Sequence, residues 1–399
     1  MKKNVGLVVL IVILLSPLWM WLAWLLRPVT SHNVFIMDKT VLLPDVQEHL
    51  SLSWILNYKK YHHHSYGNYE PETDYYGFFP LGKGDYRIKD IEYFTDQQLD
   101  SLVDGYDMVF YTDMYGIYYN EWDATYFPER QKDERYVSMR SQRMYGGLTM
   151  RELLYLKKMK AARKLIVNEF NIIASPTSGA VRREYERTFG VEWLRWVGRY
   201  YDNLDTLVNK DIPRWLINNH MKQYGEWPHR KSGIAFVRDD DRVVILEDST
   251  HLENDLPFIV TPKQYAKEYG IIKRIKYPFW FDIVKADTSL TVASHYELYP
   301  NWRGKELLRK WNIPEQFPAL IYTENKLYYY MAGDFSDNPI TYGSSYFRGF
   351  HCIAGLTYQD QKQERQRFFW KYYRPLLTKI LTTNRDYVEQ QWPNRRTDR

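Results

Sequence analysis

The chain has 399 residues, 45% of them hydrophobic and 26% charged, with a formal net charge of +5. That charge is small for the length and forms no basic stripe, so a nucleic-acid partner is not expected. Cys352 is the only cysteine, which excludes an intramolecular disulfide and a thiolate metal cluster within one chain.

Residues 5–26 carry no charged side chain. A helix of about 20 apolar residues crosses a hydrocarbon core of roughly 30 Å. Lys2 and Lys3 precede the run, Arg27 follows it, and Trp19, Trp21 and Trp24 crowd its far end. The pattern predicts a single-pass anchor in the inner (plasma) membrane, with residues 5–26 in the lipid bilayer, the N-terminus cytoplasmic and the body extracytoplasmic. A cleaved signal peptide is the alternative, but its apolar core should be about 7–15 residues and end at a small-x-small site. The expected organisation is therefore an anchor over 1–30, an α/β domain over 31–385 with a candidate subdivision near 205–230, and a tail over 386–399.

Val34 to Asp38 reads as a buried strand, and a helix is expected from Pro44 to Tyr58. Residues 59–86, rich in Tyr, His, Gly and Pro, read as an irregular loop. Thr95 can cap a short helix through Leu102, and Tyr106 to Tyr111 reads as a second buried strand. A polar, aromatic insertion covers 114–146. Thr149-Met150-Arg151-Glu152 has the form of a capping box, opening a helix to about Arg163. Leu165 to Asn168 is a third strand, and a helix after Ser178 stops at Gly190.

Strand and helix thus alternate through the first half, as in a mostly parallel sheet flanked by helices. The second half predicts β-hairpin additions. Ile234 to Val237 and Val243 to Leu246 flank Asp239-Asp240-Asp241, and Ala319 to Tyr322 and Leu327 to Met331 flank a polar turn. Phe279 to Ile283 and Leu290 to Ala293 suggest another strand pair. A helix is expected from Ile212 to Tyr224, and a long one from Asp360 to Leu381 closes the chain.

The strands end in acids. Asp38 ends the first, Asp113 follows the second, Glu169 the third, and Asp334 follows the strand at 327–331. In open α/β sheets ligands lie beyond the carboxyl ends of the strands. Facing carboxylates there can act as acid and base. Asp113, Glu169 and Asp334 are the candidate catalytic set, and Asp38 and Tyr115 candidate ligand contacts. Equally, such acids cap the following helices or pair with Lys39 and Arg348. The His62-His63-His64 tract has no further ligand at an obvious spacing, so no metal is expected. Gly-x-Ser-x-Gly, Walker, Gly-x-Gly-x-x-Gly and His-Glu-x-x-His motifs are absent, and no cofactor is called for. The 36 Tyr, 14 Trp and 18 Phe supply rings that pack in a core or stack on sugars.

Three stretches resemble the class I glutamine amidotransferase-like superfamily, which has a flavodoxin-like fold. They are Asp107 to Tyr111 followed by Thr112-Asp113-Met114-Tyr115-Gly116, Leu165 to Asn168 followed by Glu169-Phe170-Asn171, and Lys326 to Phe335 with its Gly333-Asp334-Phe335. Family enzymes carry a cysteine in a Gly-x-Cys-x-Gly elbow after a central strand. Phe170 to Ser178 contains no cysteine, so the resemblance implies a degenerate member without amide hydrolysis. Two functions follow as expectations: a membrane-anchored binding or assembly protein of the cell envelope, with a glycan or a membrane protein as partner, or an envelope polysaccharide hydrolase using the strand-end carboxylates.

Overall fold

The computed structural model describes residues 11, 14–45, 47–63, 67–132, 141–356 and 361–391. A ten-stranded mixed sheet forms its centre. The parallel part comprises β1 (Val34–Asp38), β2 (Tyr76–Gly82), β4 (Met108–Tyr111), β5 (Leu165–Asn168) and β14 (Tyr328–Met331). β3 (Asp85–Lys89) closes one edge, antiparallel to β2. On the other side come β13 (Gln316–Thr323), β12 (Leu290–Pro300), β9 (Leu252–Val260) and β10 (Arg274–Lys276), all antiparallel. The order is β10-β9-β12-β13-β14-β5-β4-β1-β2-β3.

β1, β4, β5 and β14 are buried at every position. Sheets covered on both faces require such unbroken apolar runs rather than alternation. The five parallel strands follow the chain order 2-1-3-4-5, one of the two common doubly wound arrangements. Strand order therefore reverses between β1 and β4, whose register pairs Val34 with Met108 and Met37 with Tyr111.

Helices α3 (Asp96–Gly105), α4 (Met150–Ala161) and α5 (Gly179–Phe189) pack side by side, while α2 (Leu50–Lys59) packs on the final helix, α7 (Arg374–Gln391). Thr95 and Thr149 both close full capping boxes, with Gln98 and Glu152. Gly190 ends α5 at φ 74°. A second, antiparallel sheet has the order β8-β7-β6-β11, from β6 (Val191–Tyr201), β7 (Gly233–Arg238), β8 (Val243–Glu247) and β11 (Phe281–Ala286). α6 (Arg214–Tyr224) lies against β8, and Leu204, Leu216, Trp227, Ala235 and Ile245 share a small core there. At the other end of this sheet, Phe281 bridges Gly333 just beyond β14.

The expected fold needs correction on several points. The transmembrane helix is the first. Within the apolar run the structure has α1 (Ser16–Leu25), ten residues long, about 15 Å at 1.5 Å per residue. Among the described residues no helix is long and apolar enough to cross a membrane, while residues 1–10, 12 and 13 lie outside the description. The end of the run docks on the body instead. Trp24 is buried, its indole donates to the Asn57 carbonyl at 3.0 Å, and Lys60 donates to the carbonyls of Leu25 and Arg27. The single-pass inner-membrane localisation is corrected with it.

The sheet, second, is mixed rather than mostly parallel, because five antiparallel pairings surround four parallel ones. Third, residues 59–86 are no plain loop, since Phe78 and Phe79 are buried in the β2–β3 hairpin. Fourth, β11 and β12 do not pair with each other; β11 joins β6, and β12 joins β9 and β13.

Candidate functional site at the carboxyl ends of the parallel strands

Asp38, at the end of β1, is fully buried and locally satisfied. Its Oδ1 accepts from the Thr40 amide and hydroxyl, and its Oδ2 lies 2.7 Å from His49 Nδ1. His49 Nε2 faces the Pro71 carbonyl at 2.9 Å, so that nitrogen must carry a hydrogen. Lys39 turns away from the acids. Its ammonium reaches the Gly147 carbonyl at 2.9 Å and Glu152 at 2.6 Å, a pair that is 1% exposed on each side.

Across the strand-order reversal, Asp113 follows β4. Its Oδ1 accepts from the Tyr115 amide at 2.7 Å and from Asn171 Nδ2 at 3.2 Å. Asn171, two residues beyond Glu169 and at φ 61°, also donates its amide to Asp282 Oδ2 at 3.0 Å. Tyr330 shares that oxygen at 2.8 Å. Asp282 thus arrives from the second sheet, carried in by the bridge next to it.

Glu169 is fully buried, and its Oε2 accepts from the Ser336 amide at 3.1 Å. Asp334 and Asp337 are both gripped by Arg365, which donates to Asp334 Oδ2 at 3.1 Å, to the Asp334 carbonyl at 2.6 Å and to Asp337 Oδ2. The guanidinium lies over the Phe279 ring at 4.1 Å. Carboxylate oxygens of Glu48, Asp334 and Asp337 all lie within 4.8 Å of one another. That donor set suits a hard cation, and Arg365 already supplies positive charge to two of its members.

So many carboxylates around one arginine cannot all ionise cheaply. Burial pushes Asp113 well above the usual carboxylate range, and the charge of Asp334 adds to it. Glu48 is displaced the same way, by burial and then by Asp337 and Asp334. Burial raises Glu169 to about 8 against the Ser336 hydrogen bonds. Asp334 reaches only about 6, because Arg365 opposes its burial. Burial alone raises Asp282 to about 7. At neutral pH the crevice therefore holds both protonated and ionised carboxyls side by side.

The three strand-end acids named from sequence come together; Asp38 stands apart in its own hydrogen-bonded turn. Tyr115 supplies its amide to Asp113 and its ring to a pair with Tyr118 at 4.8 Å. Sequence reasoning missed Glu48, Asp282, Asp337 and Arg365. The Asp-Asp-Asp turn is surface chemistry, with Asp239 on Arg195 and Asp240 on Arg238. Exposed Cys352 has His351 at 3.6 Å. Of the His tract, His64 lies outside the described residues.

No family model matches the chain, and no curated protein matches it. Among solved structures, a ThuA-like protein from Parabacteroides merdae ATCC 43184 is similar over 76% of this chain and 79% of that one, at 11% identity and a TM-score of 0.31. A likeness at that level carries no argument about fold or chemistry.

Proposed function

We propose that this chain is a carboxylate-dependent hydrolase acting on a glycan. The observation that carries the reading is the convergence of Asp113, Glu169 and Asp334 beyond the carboxyl ends of β4, β5 and β14, on one side of the strand-order reversal, with protonation states held apart by burial and by Arg365. Pairs of carboxyls pushed to different pKa values are how one site provides an acid and a base at one pH. Asp113, part-exposed and with its carboxyl held well above the usual range, is placed to give a proton to a leaving oxygen. Asp334, held ionised by Arg365, is the partner that activates water or stabilises positive charge at the sugar. Glu169, buried and protonated, accepts from the Ser336 amide two residues beyond Asp334 and so helps to fix that turn. The Tyr115–Tyr118 pair beside Asp113, and Trp280, whose carbonyl accepts from the Asp334 amide, offer apolar faces for sugar rings.

A second reading, a non-catalytic binding module on an amidotransferase-like scaffold, is supported by the complete burial of Glu169 and the absence of cysteine from Phe170 to Ser178. One experiment separates the two. The full chain is incubated with a panel of oligosaccharides, with release of reducing ends and binding measured in parallel. Hydrolysis that falls by about 10²–10⁴-fold in Asp113→Asn and Asp334→Asn, with binding kept, supports the enzyme. Binding without turnover by the unaltered chain supports the module. Neither binding nor turnover rejects both.

A further inference from the structure

A second constellation lies between α6 and the strands β7 and β8, built from imidazoles. His220, on α6, and His229, just before β7, are 5% and 8% exposed, and their Nε2 atoms face each other at 3.2 Å. Their outer nitrogens determine what those facing atoms are. His220 Nδ1 lies 3.0 Å from the Glu226 carbonyl, an acceptor only, so its hydrogen sits on Nδ1. His229 Nδ1 lies 3.5 Å from Glu247 Oε2. Glu247 is itself fixed, because its Oε1 accepts from the amides of Arg230 and Lys231 at 2.8 and 2.9 Å.

With the His229 hydrogen on Nδ1, toward Glu247, each neutral ring turns a lone pair toward the other. A cation between them would satisfy both lone pairs; the alternative is a hydrogen on His229 Nε2 donated to His220 Nε2. A cation matches the spacing: two nitrogens at 2.0–2.1 Å from a tetrahedral ion are about 3.3 Å apart. The outer contacts are those of metal-bound histidines, whose second nitrogen donates to a carboxylate or a backbone carbonyl that fixes the tautomer. Trp227 and Tyr224 enclose the pair, with ring centroids 5.0 and 4.6 Å from His220.

We propose that His220 and His229 form a two-imidazole site for a borderline divalent cation of the Zn²⁺ class, with water or an external donor in the remaining positions. The eight residues between them, 221–228, run from the last turn of α6 toward β7, so the ion would clip that helix to the second sheet. The inference does not depend on the reading of the strand-end crevice.

The test uses the full chain with His62, His63 and His64 changed to Gln, which removes the competing tract. Zn²⁺ is titrated calorimetrically into metal-free protein, and Cu²⁺ is followed by electron paramagnetic resonance. One equivalent of Zn²⁺ bound per chain is expected. Affinity should fall about 10–100-fold in Glu247→Gln, which spares both ligands, and further in His229→Gln. The Cu²⁺ spectrum should show two nitrogen couplings, a readout that needs no altered ligand. Absence of uptake, uptake unchanged in His229→Gln, or a spectrum without imidazole nitrogen would overturn the site.

Discussion

Glu169 illustrates what a strand-end acid costs when it is fully covered. In the unfolded chain it is an ordinary carboxyl; in the fold it holds its proton up to about 8. A raised carboxyl binds more protons folded than unfolded, so its contribution to stability is present at low pH and lost as pH rises from about 4.5 through 8. Glu169→Gln, which stays neutral, should flatten that slope. The variant's thermal midpoint is expected to exceed that of the unaltered chain at pH 8.5 and to match it near pH 5. Equal slopes in the two would mean that Glu169 is not protonated in the fold. Arg365 is the opposite case. Removing it as Arg365→Met leaves Asp334 and Asp337 without their cation and should destabilise by about 3 kcal/mol in urea unfolding at pH 8. The strand-end acids could be read from sequence because each follows an unbroken buried run. Glu48, Asp337 and Arg365 could not: the apolar pattern puts Glu48 and Arg365 inside helices, yet both lie just before one, and Asp337 comes from a loop. His220 and His229 follow no ligand motif either, and only the 3.2 Å approach of their Nε2 atoms singles them out.

At the level of elements, the capping boxes at Thr95 and Thr149 and the stop at Gly190 follow from local chemistry, which is why sequence located α3, α4 and α5 well. Strand pairing beyond the parallel core is settled by distant partners. β11 and β12 are neighbours in the chain but leave for different sheets, so their adjacency misled. The β2 strand was hidden for a related reason. Its first residues, Tyr76 and Gly77, pair with Met37 and Asp38 of β1, and at Gly77, with φ 137°, a Cβ would lie 1.6 Å from the Asp38 carbonyl oxygen. No side chain fits there, and the oxygen belongs to backbone that cannot swing aside. Gly77→Ala should therefore destabilise by more than about 3 kcal/mol or abolish soluble folding, whereas Thr149→Ala should cost about 1 kcal/mol through its lost cap. Denaturant midpoints of the two variants, measured side by side, check the ranking; a harmless alanine at 77 would contradict the β1–β2 contact.

For the whole molecule, the apolar leading run was the feature that sequence weighed most heavily, and it misdirected the topology. Hydropathy alone does not reveal that Trp24 has a seat waiting against Asn57 and Tyr346. The two sheets are joined through Asp282, which accepts from Asn171 and Tyr330 on the main sheet's side while its neighbour Phe281 bridges Gly333. Circular dichroism and tryptophan fluorescence should accordingly report one unfolding midpoint. Asp282→Ala, which strips two donors of their acceptor, should separate the two curves; coincident curves in that variant would show that the sheets are coupled by packing alone.

The buried pair of Lys39 and Glu152 has a bearing on how the crevice opens. Glu152 also accepts from the Thr149 amide, so one carboxylate serves the cap of α4 and the residue next to Asp38 at once. The two banks of the cleft are thereby bolted together at their base. Prising the segment after β1 away from α4 would strand an ammonium in a dry interior.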